Sequence, residues 1–353
     1  MTGSTIERYA FETGVYRPPS EGGNSSLLVR FTRNCPWNRC GFCAMYKTEK
    51  FELRPLQEIK QDIDAMAAVC SDLRRESKRL GYGGEIVQAA AIELIGRVPE
   101  LNQHQGFVMV YNWLLSGAKT AFLQDANSLI MKTDVLVEAL THLRQTFPSL
   151  ARVTTYARAK TVAQKSAREL SDIRLAGLDR LHLGLESGDD ALLKMIKKGV
   201  TAEGHIKAGR KAMAAGFQVS EYWMPGLGGK ADWQNHAKHT ARVLNEINPH
   251  YIRSRPFFPM PGTPLYDDLQ HQAFEMLSAQ EQLLELKHVM AALDVTSKVC
   301  FDHAGNYWKD RNGNYLFTHS YEGYQFPNQK QEVLDLIEEG LKAGNQRPNL
   351  LRL

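Results

Sequence analysis

Two hydrophobic rhythms take turns along this chain: short apolar runs, and longer stretches with apolar residues three or four positions apart. Ser26-Leu27-Leu28-Val29-Arg30-Phe31 predicts a strand. From Pro55-Leu56 onward, Ile59, Ile63, Met66 and Val69 fall at helical spacing, with Pro55 near a helix start, where a missing N–H costs little. Further strands are expected over 120–123, 152–156, 180–185, 218–224 and 251–255. The helices expected between them cover 133–146, 161–176, 189–197, 202–215 and 231–247. Such regular alternation argues an α/β fold with a mainly parallel sheet and helical crossovers. About six units precede residue 270, enough for a partial (β/α)6 TIM-like barrel and short of eight.

The flanks differ in texture. Residues 1–26 are polar and turn-rich, with Pro18-Pro19 and Gly22-Gly23, and are expected to form an N-terminal extension to the barrel region, 27–272. A capping region over 273–353 is expected to be helical at 280–293 and 329–342. Between them, 300–327 is rich in aromatic residues, Gly and Asn. Tyr307, Trp308, Tyr315, Phe317, His319, Tyr321 and Tyr324 there suit either a cover over the open side of a barrel or a satellite core. Tyr111-Asn112-Trp113 is expected to pack rather than bind, and His182, inside a predicted strand, to be a core histidine.

Composition is ordinary for a soluble globular chain, with 43% hydrophobic and 23% charged residues among 353. The net charge of +4 is spread out, and no Lys/Arg run marks a nucleic-acid arm, so nucleic acid is not indicated. The N-terminus lacks a signal-peptide layout, and no apolar run approaches the ~20 residues of a membrane span. Five cysteines, three of them clustered, do not read as a disulfide framework, so a reducing cytoplasm is expected.

The three clustered thiols, Cys35, Cys40 and Cys43, form C-x4-C-x2-C. Three thiolates are one short of a closed zinc site. They suit a cuboidal iron–sulfur cluster that leaves one iron free of protein. In parallel α/β folds the working groups lie at the carboxyl ends of strands. Those ends carry, in order, the cysteines; Gln124-Asp125-Ala126-Asn127; Tyr156 and Arg158; Glu186-Ser187-Gly188; Pro225-Gly226-Leu227-Gly228-Gly229; and Arg253, Arg255 and Pro261-Gly262-Thr263-Pro264. Each has a plain structural reading too. Asp125 and Asn127 can cap a helix, Arg158 can be a solvated charge, and Glu186 can sit in a strand-to-helix turn. Arg253 and Arg255, on one side of a strand, can simply pair with acids.

On the cysteine loop with Phe42 before its last Cys, on Leu185-Glu186-Ser187-Gly188 and on Pro261-Gly262-Thr263-Pro264, the chain resembles the radical S-adenosylmethionine (SAM) superfamily over about residues 25–270. The loop departs from the superfamily's commonest C-x3-C-x-aromatic-C by one extra residue in the first gap. The resemblance implies that Cys35, Cys40 and Cys43 hold a [4Fe–4S] cluster whose fourth iron is chelated by SAM. It implies reductive cleavage of SAM to a 5′-deoxyadenosyl radical that abstracts hydrogen from a substrate, in an oxidoreductase or transferase fed by a reductant such as flavodoxin or ferredoxin.

For SAM, Asp125 and Asn127 suit the ammonium, and Arg158 suits the carboxylate in a fork geometry. Glu186, with Ser187 beside it, suits the ribose hydroxyls or the ammonium, while Phe42 and Gly226 allow close approach to the adenosine. Tyr156, Tyr222, Arg253 and Arg255 are the candidate substrate contacts. The superfamily's Gly-Gly-Glu is spelled by Gly83-Gly84-Glu85, but after a charged helical stretch and not a strand, so Asp125 and Asn127 are preferred. Two other readings stand beside this one: a non-catalytic relative that handles a cluster or haem, and a zinc-stabilised α/β binding protein.

Overall fold

The computed structural model describes residues 5–14, 21 and 25–344. Pro18-Pro19 and Gly22-Gly23 lie outside the described residues. The strands are β1 (Ser26–Arg30), β2 (Thr32–Arg33), β3 (Glu52–Leu53), β4 (Thr120–Gln124), β5 (Arg152–Ala157), β6 (Arg180–Glu186), β7 (Gln218–Trp223), β8 (Tyr251–Ser254), β9 (Lys298–Cys300) and β10 (Tyr324–Gln325). The helices are α1 (Leu56–Arg79), α2 (Gln88–Arg97), α3 (Gln105–Leu115), α4 (Thr133–Thr146), α5 (Ala159–Gln164), α6 (Ala167–Leu175), α7 (Asp190–Met195), α8 (Ala202–Ala214), α9 (Gly229–Ile247), α10 (Pro264–Gln270), α11 (Ala279–Ala292) and α12 (Lys330–Ala343). The sheet order is β1-β4-β5-β6-β7-β8-β9-β10, while β2 and β3 pair separately. Strands that follow one another in chain order across a mostly parallel sheet, with helical crossovers, give the α/β class and the (β/α)6 topology expected. No helix among the described residues is long and apolar enough to cross a membrane.

Two compact units divide the chain. The first holds Met1–Asn34, Phe51–Tyr156 and Ser171–Arg180. In it β1 pairs parallel with β4 from Ser26↔Thr120 to Arg30↔Gln124, and β4 with β5 from Thr120↔Arg152 to Leu123↔Thr155. Helix α1 buries Ile59, Ile63, Met66 and Val69 completely, the stripe that its spacing predicts. Trp113 packs edge-on against Phe147 and donates its Nε1–H to the Thr120 carbonyl, so the 111–113 segment is packing. Gly83 and Gly84, both at positive φ, lie in the turns after α1 and not at a strand end.

The second unit holds Cys35–Lys50, Ala157–Leu170 and Leu181–Leu353. Here β7 pairs parallel with β8, β8 with β9, and β10 runs antiparallel to β9. Part of the aromatic 300–327 segment is core: Phe301 stacks on Phe317 at 3.9 Å between ring centroids, and both lie with Trp308, Tyr324, Val333 and Ile337 in one buried cluster, while Tyr315 and His319 are exposed. The single helix expected over 161–176 is two, α5 and α6. Ser166 interrupts it by capping the second: its hydroxyl accepts from Glu169 N–H at 3.1 Å, and the Glu169 carboxylate accepts from Ser166 N–H at 2.8 Å. Ser278 and Glu281 make the same reciprocal cap on α11. Thr263 caps α10 with Pro264 at its first position, which accounts for the Pro-Gly-Thr-Pro stretch structurally.

Candidate metal centre

Cys35, Cys40 and Cys43 carry free, half-buried thiols on the loop that opens the second unit's chain segment. The loop is closed by its own polar groups. Cys35 Sγ accepts from Asn38 N–H at 3.4 Å, and Lys47 Nζ donates to the carbonyls of Asn38 and Cys40 at 3.1 and 3.0 Å. It rests on the four residues that follow α7. Gly41 N–H donates to the Ile196 carbonyl at 2.8 Å and Trp37 Nε1–H to the Lys197 carbonyl at 2.8 Å, while Arg158, just before α5, donates to the Lys198 carbonyl at 2.7 Å. Gly199, at φ +76°, completes the seat, since a Cβ there would lie 2.5 Å from the Trp37 ring. Phe42 packs on an apolar cluster that includes Leu192, Ile196, Met224 and Phe257.

The thiols sit among cations. Arg158 lies 4.6 Å over the Trp37 ring. Burial pushes the Cys40 thiol up; Lys198 and Arg158 pull it down, while Glu186 and Cys43 push it further up. Burial likewise lowers Arg158, against the thiols of Cys40 and Cys35. Removing these cations' water and setting them beside sulfur is costly unless the sulfur carries negative charge. A cluster held by thiolates supplies that charge. Among the described residues, no three His, Cys, Asp or Glu side chains are grouped so as to hold one metal ion. Thiolates that each hold a different iron need not converge on one point.

Glu186 ends β6 at φ +63°, a conformation rare for a residue with a Cβ. Its carboxylate is buried, with Oε1 2.8 Å from Lys198 Nζ. Oε2 is buried with no hydrogen-bond partner among the described residues. Gly184, two residues earlier and so on the same face of the strand, leaves room for this pair. A Cβ at 184 would lie 2.2 Å from Glu186 Oε1 and 2.9 Å from Lys198 Nζ. Lys198 was missed by sequence reasoning: its neighbours Lys197 and Gly199 mark only a turn, and nothing in the spacing pairs it with Glu186.

The other candidates in this unit are more deeply built in. Ser187 is wholly buried and lies 2.8 Å from His236 Nδ1, while His236 Nε2 lies 3.0 Å from the Met224 carbonyl. A carbonyl can only accept, so Nε2 carries the proton and Nδ1 accepts from the Ser187 hydroxyl. Burial lowers this histidine to about 4. Gly226, at φ +86°, donates its N–H to Glu285 Oε2 at 2.5 Å; burial raises that carboxyl to about 8, against the pull of the N–H. Tyr222 packs edge-on against His182, 5.3 Å between centroids.

Arg253 is completely buried and engaged by Asp302 at 2.8 Å, Ser220 at 3.1 Å and the Tyr321 carbonyl at 3.3 Å, with the Tyr251 and Tyr321 rings 5.0 and 4.4 Å away. Its place is structural, joining β7, β8 and the 300–327 segment. Arg255 is half-buried, and its charge adds to burial in lowering His303 to about 4.

In the first unit, Asp125 follows β4 at φ +68° with its side chain buried. Oδ2 accepts from Arg30 Nε at 2.7 Å and from the N–H of Asn34, the residue before Cys35, at 2.9 Å. Asn127 is wholly buried and starts a 3-10 turn without capping it through its side chain. Tyr156 is half-buried and packs edge-on to Phe122 at 5.3 Å. Glu12, unremarked in the sequence, bridges Arg30 at 2.6 Å and Arg33 at 2.6 Å; burial raises it, but Arg33, Arg54 and Arg30 outweigh that and hold it below the usual carboxylate range.

No family model matches the chain. A tRNA uridine(34) acetyltransferase of Methanocaldococcus infernus is 26% identical over 119 residues, 33% of this chain and 22% of that protein. A second, from Methanocaldococcus jannaschii, is 28% identical over 102 residues, 28% of this chain and 19% of that protein. The chain thus spans about a fifth of the length of the curated relatives it matches. Among solved structures, a methylornithine synthase is 15% identical, with 92% of this chain and 72% of that chain covered and a TM-score of 0.46. Coproporphyrinogen III oxidase from Escherichia coli, described as a radical SAM enzyme, is 14% identical, with 75% and 51% covered and a TM-score of 0.45.

Proposed function

We propose that this chain is a radical SAM enzyme in which Cys35, Cys40 and Cys43 hold a [4Fe–4S] cluster and Glu186 receives SAM. The observation that carries the reading is the orphaned Oε2 of Glu186, in a carboxylate that Lys198 holds among the charges acting on Cys40. A buried carboxylate oxygen without a donor costs free energy, and the ammonium or ribose hydroxyls of SAM are donors of the right kind. When bound, the cluster and SAM supply one-electron cleavage of the sulfonium and hydrogen abstraction from a substrate. The chain's own residues do the rest. Lys198 neutralises and orients Glu186, Arg158 supplies a cation for the SAM carboxylate, and Asp125 and Asn127 offer acceptors at the end of β4. Gly226 permits close approach of the adenosine, while Ser187 fixes the turn that carries Glu186. Arg255 faces the substrate, and Arg253 braces the wall behind it.

The electron donor is a small reductant such as flavodoxin or ferredoxin, and the compartment is the cytoplasm. A tRNA uridine is the substrate to try first, because both matched relatives are named as tRNA uridine(34) acetyltransferases. The test is anaerobic reconstitution. Wild-type protein is expected to bind four irons, turn brown, bleach with dithionite and release 5′-deoxyadenosine from SAM. Cys40→Ala is expected to lose cluster and cleavage together. Colourless protein with stoichiometric zinc would decide for the zinc-stabilised alternative, and a cluster without SAM cleavage for the non-catalytic one.

A further inference from the structure

The strained backbone around Glu186 is pinned from one side by a single helix. After Glu186, each residue is tied down. The Glu186 carbonyl accepts from Met224 N–H at 3.0 Å. The Ser187 hydroxyl donates to His236, and Gly188 N–H donates to Thr240 Oγ1 at 3.0 Å. Asp189 meets His239 Nδ1 at 2.6 Å and accepts from Leu192 N–H at 2.9 Å. His239 and Thr240, three and four residues beyond His236, share its side of α9. The approach is so close that a Cβ at Gly188 would lie 2.2 Å from the His239 carbonyl oxygen. None of the three α9 side chains is a candidate contact for a cofactor. A left-handed residue with a Cβ persists only where its surroundings over-determine it.

We infer that His236, His239 and Thr240 form a positioning clamp, which holds Glu186 in its left-handed conformation and thereby sets the affinity of the site for SAM. This rests on the assignment of Glu186 to SAM made above. Relaxing the clamp lets φ of Glu186 return to an ordinary value, and the carboxylate swings off Lys198. SAM then meets an acceptor that must first be reordered, which reduces apparent affinity by the fraction of protein still competent.

The experiment measures the SAM dissociation constant by equilibrium dialysis on anaerobically reconstituted full chain, with iron content checked in each sample. Thr240→Val keeps the side chain's shape and removes the acceptor for Gly188 N–H. It is expected to weaken SAM binding roughly five- to tenfold at unchanged iron content. Thr240→Ser, which keeps the hydroxyl, is expected to bind as wild type. His239→Ala removes the Asp189 tie at a partly exposed position and is expected to act like Thr240→Val.

The deciding sample is the double variant. In a Glu186→Ala background, adding Thr240→Val is expected to change the SAM affinity no further, because the clamp acts through that carboxylate. Thr240→Val and His239→Ala at wild-type affinity would overturn the clamp, and so would a factor that multiplies unchanged onto Glu186→Ala. Glu186→Ala at wild-type affinity would overturn the underlying assignment to SAM itself, an outcome that the single Glu186 variant reads separately.

Discussion

Replacing Glu285 by glutamine is expected to change how the stability of the second unit depends on pH. In the folded chain Glu285 keeps its proton up to about pH 8, because burial penalises the carboxylate, whereas its ordinary value is 4.5. Its neighbour His236, 3.8 Å away, stays neutral down to about 4 against an ordinary 6.5. Between pH 4.5 and 6.5, folding therefore moves one proton from the histidine to the glutamic acid, and the pair contributes no net slope. Between 6.5 and 8 the histidine is neutral in both states. There only the glutamic acid titrates, bound to a proton when folded and ionised when unfolded. A raised folded pKa means stability that is present at low pH and lost as pH rises. The loss is about 1.4 kcal/mol per pH unit, or about 2 kcal/mol over this window, and none above it.

Glutamine can still accept from Gly226 N–H but does not titrate. Urea unfolding followed by tryptophan fluorescence at half-unit pH steps should show Glu285→Gln gaining on wild type by about 2 kcal/mol from pH 6.5 to 8, then running parallel. Below 6.5 the variant should lose stability faster than wild type, because His236 then titrates unopposed. Profiles that run parallel from 5 to 8 would refute the reasoning.

Asp125→Ala is expected to weaken SAM binding by about 1–3 kcal/mol, the loss of a charge-assisted hydrogen bond, while Glu85→Ala leaves it unchanged. Calorimetry that shows only the Glu85 variant weakened would place the ammonium at Glu85 and not at Asp125. Gly184→Ala forces only the ends of the Glu186 and Lys198 side chains to move, so the melting temperature should stay close to wild type while SAM affinity falls. A large drop in melting temperature with unchanged affinity would contradict the placement of that pair.

Where the sequence was readable, a single physical constraint dominated. Buried strands such as β1, with Leu27-Leu28-Val29, read as apolar runs because both faces are covered. The α1 stripe read as helix because one face alone is buried. Helices α2 and α3 were not anticipated, since Ile92, Val108 and Leu115 are exposed and blur any apolar face. Strands β9 and β10, three and two residues long, are too short to show a period. The break between α5 and α6 was legible after all, in Ser166-x-x-Glu169.

At the site, the loop stood out because Cys35, Cys40 and Cys43 lie close together in one stretch of chain. Lys198 and the α9 trio were invisible because their proximity to Glu186 arises only from packing. Arg253 looked like a pocket residue because period two places it inward, but inward here means sealed beneath Tyr321 and Asp302.

The seat of the cysteine loop is made from peptide carbonyls at 196 and 197. Every amino acid brings that same oxygen, so a substitution at Lys197 that tolerates its left-handed backbone, φ +54°, leaves the fastening whole, and sequence drift there passes unrecorded. Side-chain identity matters at Lys198, which pairs with Glu186, and at Gly199, where the indole rests. What anchors the cysteine loop is thus a path of the main chain, and a letter-by-letter comparison of sequences would read straight past it.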